Sequence, residues 1–168
     1  MTQIYSNTVV VLVLLFMAVQ DFRYRGISWY HFLTLGIFLY LSKGGVEIGE
    51  VLINLVFLCI VFALLTVWFS FKERRLLNLL EHHIGLGDLL FLTCIALYLP
   101  FSSFFLFYLL STLIILFGVG LYVTSRKPKD FTVPLAGLQA LLLLVAMTLS
   151  WCHGKELYEF ELIYQYLL

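Results

Sequence analysis

Two aspartates stand apart from the other acidic residues, because each lies at the border of an apolar run. Asp21 ends the first run and Asp88 begins the fourth. An ionisable group at the membrane end of a helix is costly and usually marks a functional site. Two carboxylates that lie close together cannot both ionise easily, so they share one proton and titrate as a pair. Such a pair can hydrolyse an amide without a metal or a nucleophile, because one carboxylate takes a proton from water while the other polarises the carbonyl.

The composition indicates a membrane protein as the scaffold for this pair. Of the 168 residues, 62% are hydrophobic and 12% are charged, whereas soluble domains have about 25% charged residues. Mean hydropathy is +1.03. Six spans of roughly 20 residues would use most of the chain. We therefore expect residues 1–168 to form a single integral membrane domain. The net charge is zero, so the chain lacks the excess of positive charge that nucleic-acid binding needs.

Six apolar runs predict an all-α, polytopic fold with six transmembrane helices. The runs are apolar on every face, which disfavours a β-barrel, and helices satisfy their own backbone in lipid. The approximate boundaries of the runs are Ile4–Gln20, Trp29–Leu41, Val51–Phe71, Leu86–Leu99, Phe104–Val123 and Val133–Trp151.

Basic residues set the expected orientation. Eight of the ten lie in alternate loops: Arg23, Arg25, Lys72, Arg74, Arg75, Arg126, Lys127 and Lys129. By the positive-inside rule these loops are cytoplasmic, which places both termini outside the cytoplasm and both aspartates at the cytoplasmic side. The N-terminus has no basic residue before the first run, so that run is expected to be a retained span. Amphipathic patterns also predict an interfacial helix over Lys72–Ile84 and an outer surface segment over Gly154–Leu168.

Each aspartate has a plainer interpretation. Asp88 could cap the N-terminus of its own helix, and Asp21 could be a snorkelling residue paired with Arg23 or Arg25. Against this, Gly85 and Gly87 flank Leu86, and Asp88 follows directly after Gly87. They would allow a sharp turn and the close approach of an extended peptide or a neighbouring helix. A capping aspartate does not need both glycines.

Other chemistries are less well supported. His82 and His83 follow Glu81, but adjacent histidines point to different helix faces, so no metal site is expected. No Ser-His-Asp pattern accompanies the serines. The cysteines form no CxxC pair, which disfavours structural zinc: Cys59, Cys94 and Cys152.

With these motifs the chain resembles the type IV prepilin peptidase family, which includes the preflagellin peptidases. That family carries one aspartate in a D-x-R-x-x-x-I-P/S segment, matched by Asp21–Ser28, and another in GxGD, matched by Gly85–Asp88. The segment Val133–Gly137 resembles the Pro-containing entry to the family's last span. No paired CxxC motifs or methyltransferase region are present, so the resemblance is to the short, peptidase-only branch. Many members have Lys where Leu90 stands, and Pro-Asn where Ser28 and Trp29 stand.

The resemblance implies an aspartic endopeptidase of the cell inner membrane that cleaves the leader of prepilin-like or preflagellin-like precursors at the cytoplasmic face. The implied catalytic residues are Asp21 and Asp88, and the implied site-shaping residues are Gly85, Gly87, Arg23, Ile27 and Pro134. It implies no cofactor and no metal. The expected partners are the precursor and the lipid bilayer, with homo-oligomer formation left open. The alternative is a non-enzymatic scaffold or small transporter related to the family, although a transporter should place its acids near the bilayer midplane.

Overall fold

The regular structure is helical throughout the residues that the computed structural model describes, which are 2–43, 47–73, 85–126 and 133–152. This part of the chain contains six helices and no strand, as the apolar runs predicted. The helices are α1 (Thr2–Tyr24), α2 (Trp29–Lys43), α3 (Ile48–Glu73), α4 (Leu86–Ala96), α5 (Phe101–Arg126) and α6 (Leu135–Cys152).

Four of these helices are long and apolar enough to cross a membrane. The candidate spans are Tyr5–Tyr24, Ile48–Lys72, Phe101–Ser125 and Leu135–Cys152. By contrast, α4 has 11 residues and rises only about 16 Å, roughly half of a bilayer's hydrocarbon core. It ends at Ala96, whose carbonyl cannot bind the residue four positions later because Pro100 has no N–H. The next helix then begins directly after this proline, at Phe101.

The core lies where α1 packs against α2 and α6. Along α1 the fully buried side chains Val10, Leu14 and Met17 recur at helical spacing. The facing stripe of α6 begins with small residues, Ala136 and Ala140, which allow two helices to approach closely in lipid.

The outer faces of α3 and α5 carry large exposed apolar side chains. Phe71 is 81% exposed and Phe117 is 71% exposed. A contiguous apolar surface of this kind suits contact with lipid rather than water.

Two polar side chains of α3 form hydrogen bonds with backbone groups at the junction between α4 and α5. Asn54 is fully buried, and its Nδ2 donates to the carbonyl oxygens of Ala96 and Leu99 at 2.9 and 2.8 Å. One turn earlier, Glu50 Oε2 accepts the N–H of Phe101 at 2.7 Å. The end of α4 and the start of α5 would otherwise leave backbone groups without partners in apolar surroundings.

A second polar contact joins α1 to α2 near the start of the chain. Ser6 Oγ donates to the Phe38 carbonyl at 2.7 Å and lies 2.8 Å from Ser42 Oγ. The predicted interfacial helix over Lys72–Ile84 extends beyond Glu73, where α3 ends, into residues outside the described ones. The predicted surface segment Gly154–Leu168 lies outside them entirely.

Candidate active site

Asp21 lies in the last turns of α1 with only 7% of its surface exposed. Its Oδ2 accepts the backbone N–H of Gly137 in α6 at 2.7 Å. The structure therefore gives this carboxylate a buried partner on another helix. The guanidinium of Arg23 instead lies over the ring of Tyr24, with Cζ 5.4 Å from the ring centroid, and Arg25 is exposed.

Asp88 lies in the first turn of α4 and is partly buried. Its Oδ1 accepts the backbone N–H of Ala136 at 2.8 Å. The N-cap position of α4 is Gly85, which makes no side-chain capping bond. The carboxylate of Asp88 therefore binds backbone at two places, at Gly85 in the start of its own helix and at Ala136 in α6.

The first turn of α6 brings the two carboxylates together. Pro134 precedes the helix, and its carbonyl accepts the N–H of Leu138 at 3.1 Å. The N–H groups of the second and third helical positions usually bind an N-cap side chain, but proline has no acceptor to offer. Asp88 and Asp21 bind those N–H groups instead, one oxygen each, at the helix end whose dipole favours negative charge.

This arrangement limits how far apart the two carboxylates can be. Their bonded oxygens lie 2.8 Å from Ala136 N and 2.7 Å from Gly137 N. Three covalent bonds join those two nitrogens, so the oxygens are within about 10 Å of each other. The two residues also share one end of the helical bundle, because both bind the same turn of α6.

Gly137 is a further site residue, and it is not among those predicted from the sequence. A Cβ at this position would lie 2.9 Å from Asp21 Cβ and 3.3 Å from the Ala18 carbonyl oxygen. Carbon atoms in contact are normally about 3.5–4.0 Å apart, so only glycine allows α6 to approach α1 this closely. The spacing Pro134-x-x-Gly137 was the available signal, since it puts a glycine in the first turn of the helix.

The two glycines near Asp88 have a different role from the expected sharp turn. Gly85 has φ −68° and ψ 138°, an extended conformation open to any residue. A Cβ here would lie 3.4 Å from Asp88 Oδ2, and one at Gly87 would lie 3.7 Å from Phe32 Cζ. Both are ordinary contacts. What the glycines provide is therefore a backbone without side chains beside Asp88.

The remaining predicted site residues are not all gathered at the carboxylates. Pro134 is buried at the start of α6, one turn from Gly137. Ile27 is partly buried and packs against the core, so it anchors the connection between α1 and α2. Arg23 is exposed.

The arrangement can hold two carboxylates in fixed positions at the edge of an apolar helical core. A water or a substrate carbonyl between them would meet one proton acceptor and one proton donor when the pair carries a single proton. No protein-family model, curated protein or solved structure matches this chain.

Proposed function

We propose that this chain is a membrane aspartic endopeptidase of the prepilin peptidase type, with Asp21 and Asp88 as its catalytic residues. The observation that carries the proposal is the binding of both carboxylates to consecutive N–H groups of α6. The proposal includes six passes through the membrane, of which the one at α4 is shorter than the hydrocarbon core. It also includes both termini outside the cytoplasm and a site that faces the cytoplasm from the inner membrane.

In the proposed mechanism the two carboxylates share one proton. The ionised member takes a proton from a water while the protonated member polarises the scissile carbonyl and then protonates the leaving amine. Ala136 and Gly137 would hold one oxygen of each carboxylate through their N–H groups. Fixed positions of this kind reduce the entropy cost of reaching the transition state.

The proposed substrate is a prepilin-like or preflagellin-like precursor with a short basic leader and an apolar helix. The helix would lie in the bilayer and the leader on the cytoplasmic side, so the bond between them would meet the carboxylates. The exposed backbone at Gly85 supports this substrate, because position 85 has no side chain of its own to obstruct an extended strand that approaches Asp88.

A non-enzymatic scaffold explains the carboxylates less well. A single Ser, Thr or Asn before α6 would bind its first N–H groups at no cost in buried charge. Here Pro134 occupies that position. Two acidic residues from distant parts of the sequence accept the N–H groups instead, beside an apolar core. Ionisable groups in such surroundings are costly, which favours a chemical role for the pair.

The proposal is tested with the purified protein in liposomes and a synthetic precursor that carries a basic leader and an apolar helix. We expect cleavage at the junction between the leader and the helix, identified from the mass of both products. A variant with an altered exposed carboxylate, Glu47→Gln, serves as the matched control and should cleave at the rate of the unmodified protein. An intact precursor after prolonged incubation with correctly inserted protein would contradict the proposal.

A further inference from the structure

The connection between α1 and α2 is closed by a reciprocal contact of two side chains. Gln20 Nε2 donates to Ser28 Oγ at 2.7 Å, and the backbone N–H of Ser28 donates to Gln20 Oε1 at 3.0 Å. The nitrogen and the oxygen of the Gln20 side-chain amide therefore both bind the same residue, Ser28. We refer to this pair of bonds as the Gln20–Ser28 latch.

The position of the latch gives it a direct link to the candidate site. Gln20 immediately precedes Asp21, and Ser28 immediately precedes the first residue of α2. Between them the chain reverses direction through Arg25, which has the left-handed φ of 54° and donates its N–H to the Asp21 carbonyl at 3.0 Å. The last turn of α1, which carries Asp21, thus belongs to the same closed loop.

Within the described residues, few other contacts hold this loop. Arg23, Tyr24, Arg25 and Gly26 are all exposed, and a Cβ at Gly26 would meet no atom within 4 Å. Helix ends readily fray when their last carbonyls have few partners. Ile27 packs against the core, and the latch adds two hydrogen bonds to the backbone bond between Arg25 and Asp21.

Ser28 also departs from the usual behaviour of a serine at the start of a helix. Such a hydroxyl ordinarily accepts an N–H from the first turn of the following helix, whereas here it accepts the amide of Gln20. A proline at this position would have no N–H for Gln20 Oε1. The residue type therefore fits the latch better than it fits simple capping.

We propose that Gln20 and Ser28 are positioning residues that hold Asp21 in place for reaction, an inference that rests on the proposed peptidase function. They act through Asp21 and do not contact the substrate. With the latch broken, the end of α1 is free to move, and Asp21 spends less time bonded to Gly137. A displacement of about 1 Å at a reacting group can lower the rate about 100-fold.

The test measures kcat and KM for cleavage of the synthetic precursor in liposomes. Gln20→Leu removes both bonds and should lower kcat about 10- to 100-fold, with KM and the unfolding temperature nearly unchanged. Ser28→Ala should have a smaller effect, because its N–H remains, and Ser28→Thr should restore most of the rate. The double variant Gln20→Leu/Ser28→Ala should be no slower than Gln20→Leu alone, since both changes break the same contact.

The matched control is Thr34→Ala in α2, which removes local hydrogen bonds to the Tyr30 and His31 carbonyls without touching the latch. It should leave kcat unchanged. A Gln20→Leu variant with the kcat of the unmodified protein would overturn the inference, and so would a double variant whose losses multiply.

A second readout separates the latch from the proposed function. In a background whose three native cysteines are replaced by alanine, Asp21→Cys and Asp88→Cys are joined with a short bifunctional thiol reagent. We expect the yield of the cross-link to fall when Gln20→Leu is added. If the unmodified protein cleaves no precursor, the peptidase proposal is wrong. An unchanged cross-linking yield, with or without cleavage, would refute the inference that Gln20 and Ser28 position Asp21.

Discussion

Replacement of Gly137 by alanine should separate the two carboxylates. The added Cβ would lie 2.9 Å from Asp21 Cβ and 3.3 Å from the carbonyl oxygen of Ala18. Because carbon atoms need about 3.5–4.0 Å, Asp21 or the first turn of α6 must move by about 1 Å. The 2.7 Å bond between Gly137 N and Asp21 Oδ2 would then be stretched beyond useful hydrogen-bonding distance.

Two measurements follow from this displacement. We expect kcat for precursor cleavage to fall about 100-fold, because Asp21 leaves its reactive position. We also expect a loss of about 1–3 kcal/mol in the free energy of unfolding, which is the usual cost of an overpacked core. The kinetic assay uses the purified protein in liposomes, and unfolding is followed in mixed detergent micelles.

The matched control is Gly118→Ala in α5. A Cβ at Gly118 would meet no atom within 4 Å, so the same substitution carries no steric cost there. Its kcat and its unfolding free energy should stay close to those of the unmodified protein. A Gly137→Ala variant that cleaves as fast as Gly118→Ala would refute the reasoning that α6 must approach Asp21 closely.

Three further substitutions test separate parts of the structure. Asn54→Leu should lower the unfolding free energy by about 1–3 kcal/mol, since the carbonyls of Ala96 and Leu99 lose their donor; an unchanged value would show that this contact is not needed. Ser42→Ala should cost about 0.6 kcal/mol, the typical strength of a polar contact between membrane helices, because it removes the contact with Ser6 of α1, and it should leave cleavage unaffected; a large fall in rate would show that the end of α1 remote from Asp21 controls the site. Gly85→Ala should leave stability unchanged, because its Cβ would make only an ordinary 3.4 Å contact with Asp88 Oδ2, while KM for the precursor rises; an unchanged KM would contradict substrate approach over Gly85.

Much of the helical architecture follows directly from hydrophobic patterning. The apolar runs predicted six helices, and the described residues contain six, four of which are long enough to span a membrane. Boundaries that depend on tertiary contacts were less accurate. The fourth run was expected to continue to Leu99, but α4 ends at Ala96, where Asn54 binds the freed carbonyls. Pro100 is a local signal for this end, since it has no N–H for the Ala96 carbonyl. The contact with Asn54, however, joins residues far apart in the sequence, so no local pattern contains it.

The candidate site was predicted in its residue types but not in its construction. The two aspartates stood out by their position at the ends of apolar runs, and the structure shows that both carboxylates bind the same turn of α6. The N–H groups that bind them belong to Ala136 and Gly137, and backbone donors leave almost no signal in a single sequence. The role of Gly85 in a sharp turn was expected from its residue type, whereas its φ of −68° is an ordinary value.

The peptidase proposal is tested most directly by the two single substitutions Asp21→Asn and Asp88→Asn. Asparagine keeps the size of aspartate and an oxygen for the α6 N–H groups, so both variants should insert and unfold like the unmodified protein. Neither amide can carry the shared proton, and we expect cleavage of the precursor to fall below detection in both variants. Undiminished cleavage by either one, with correct membrane insertion, would contradict the account.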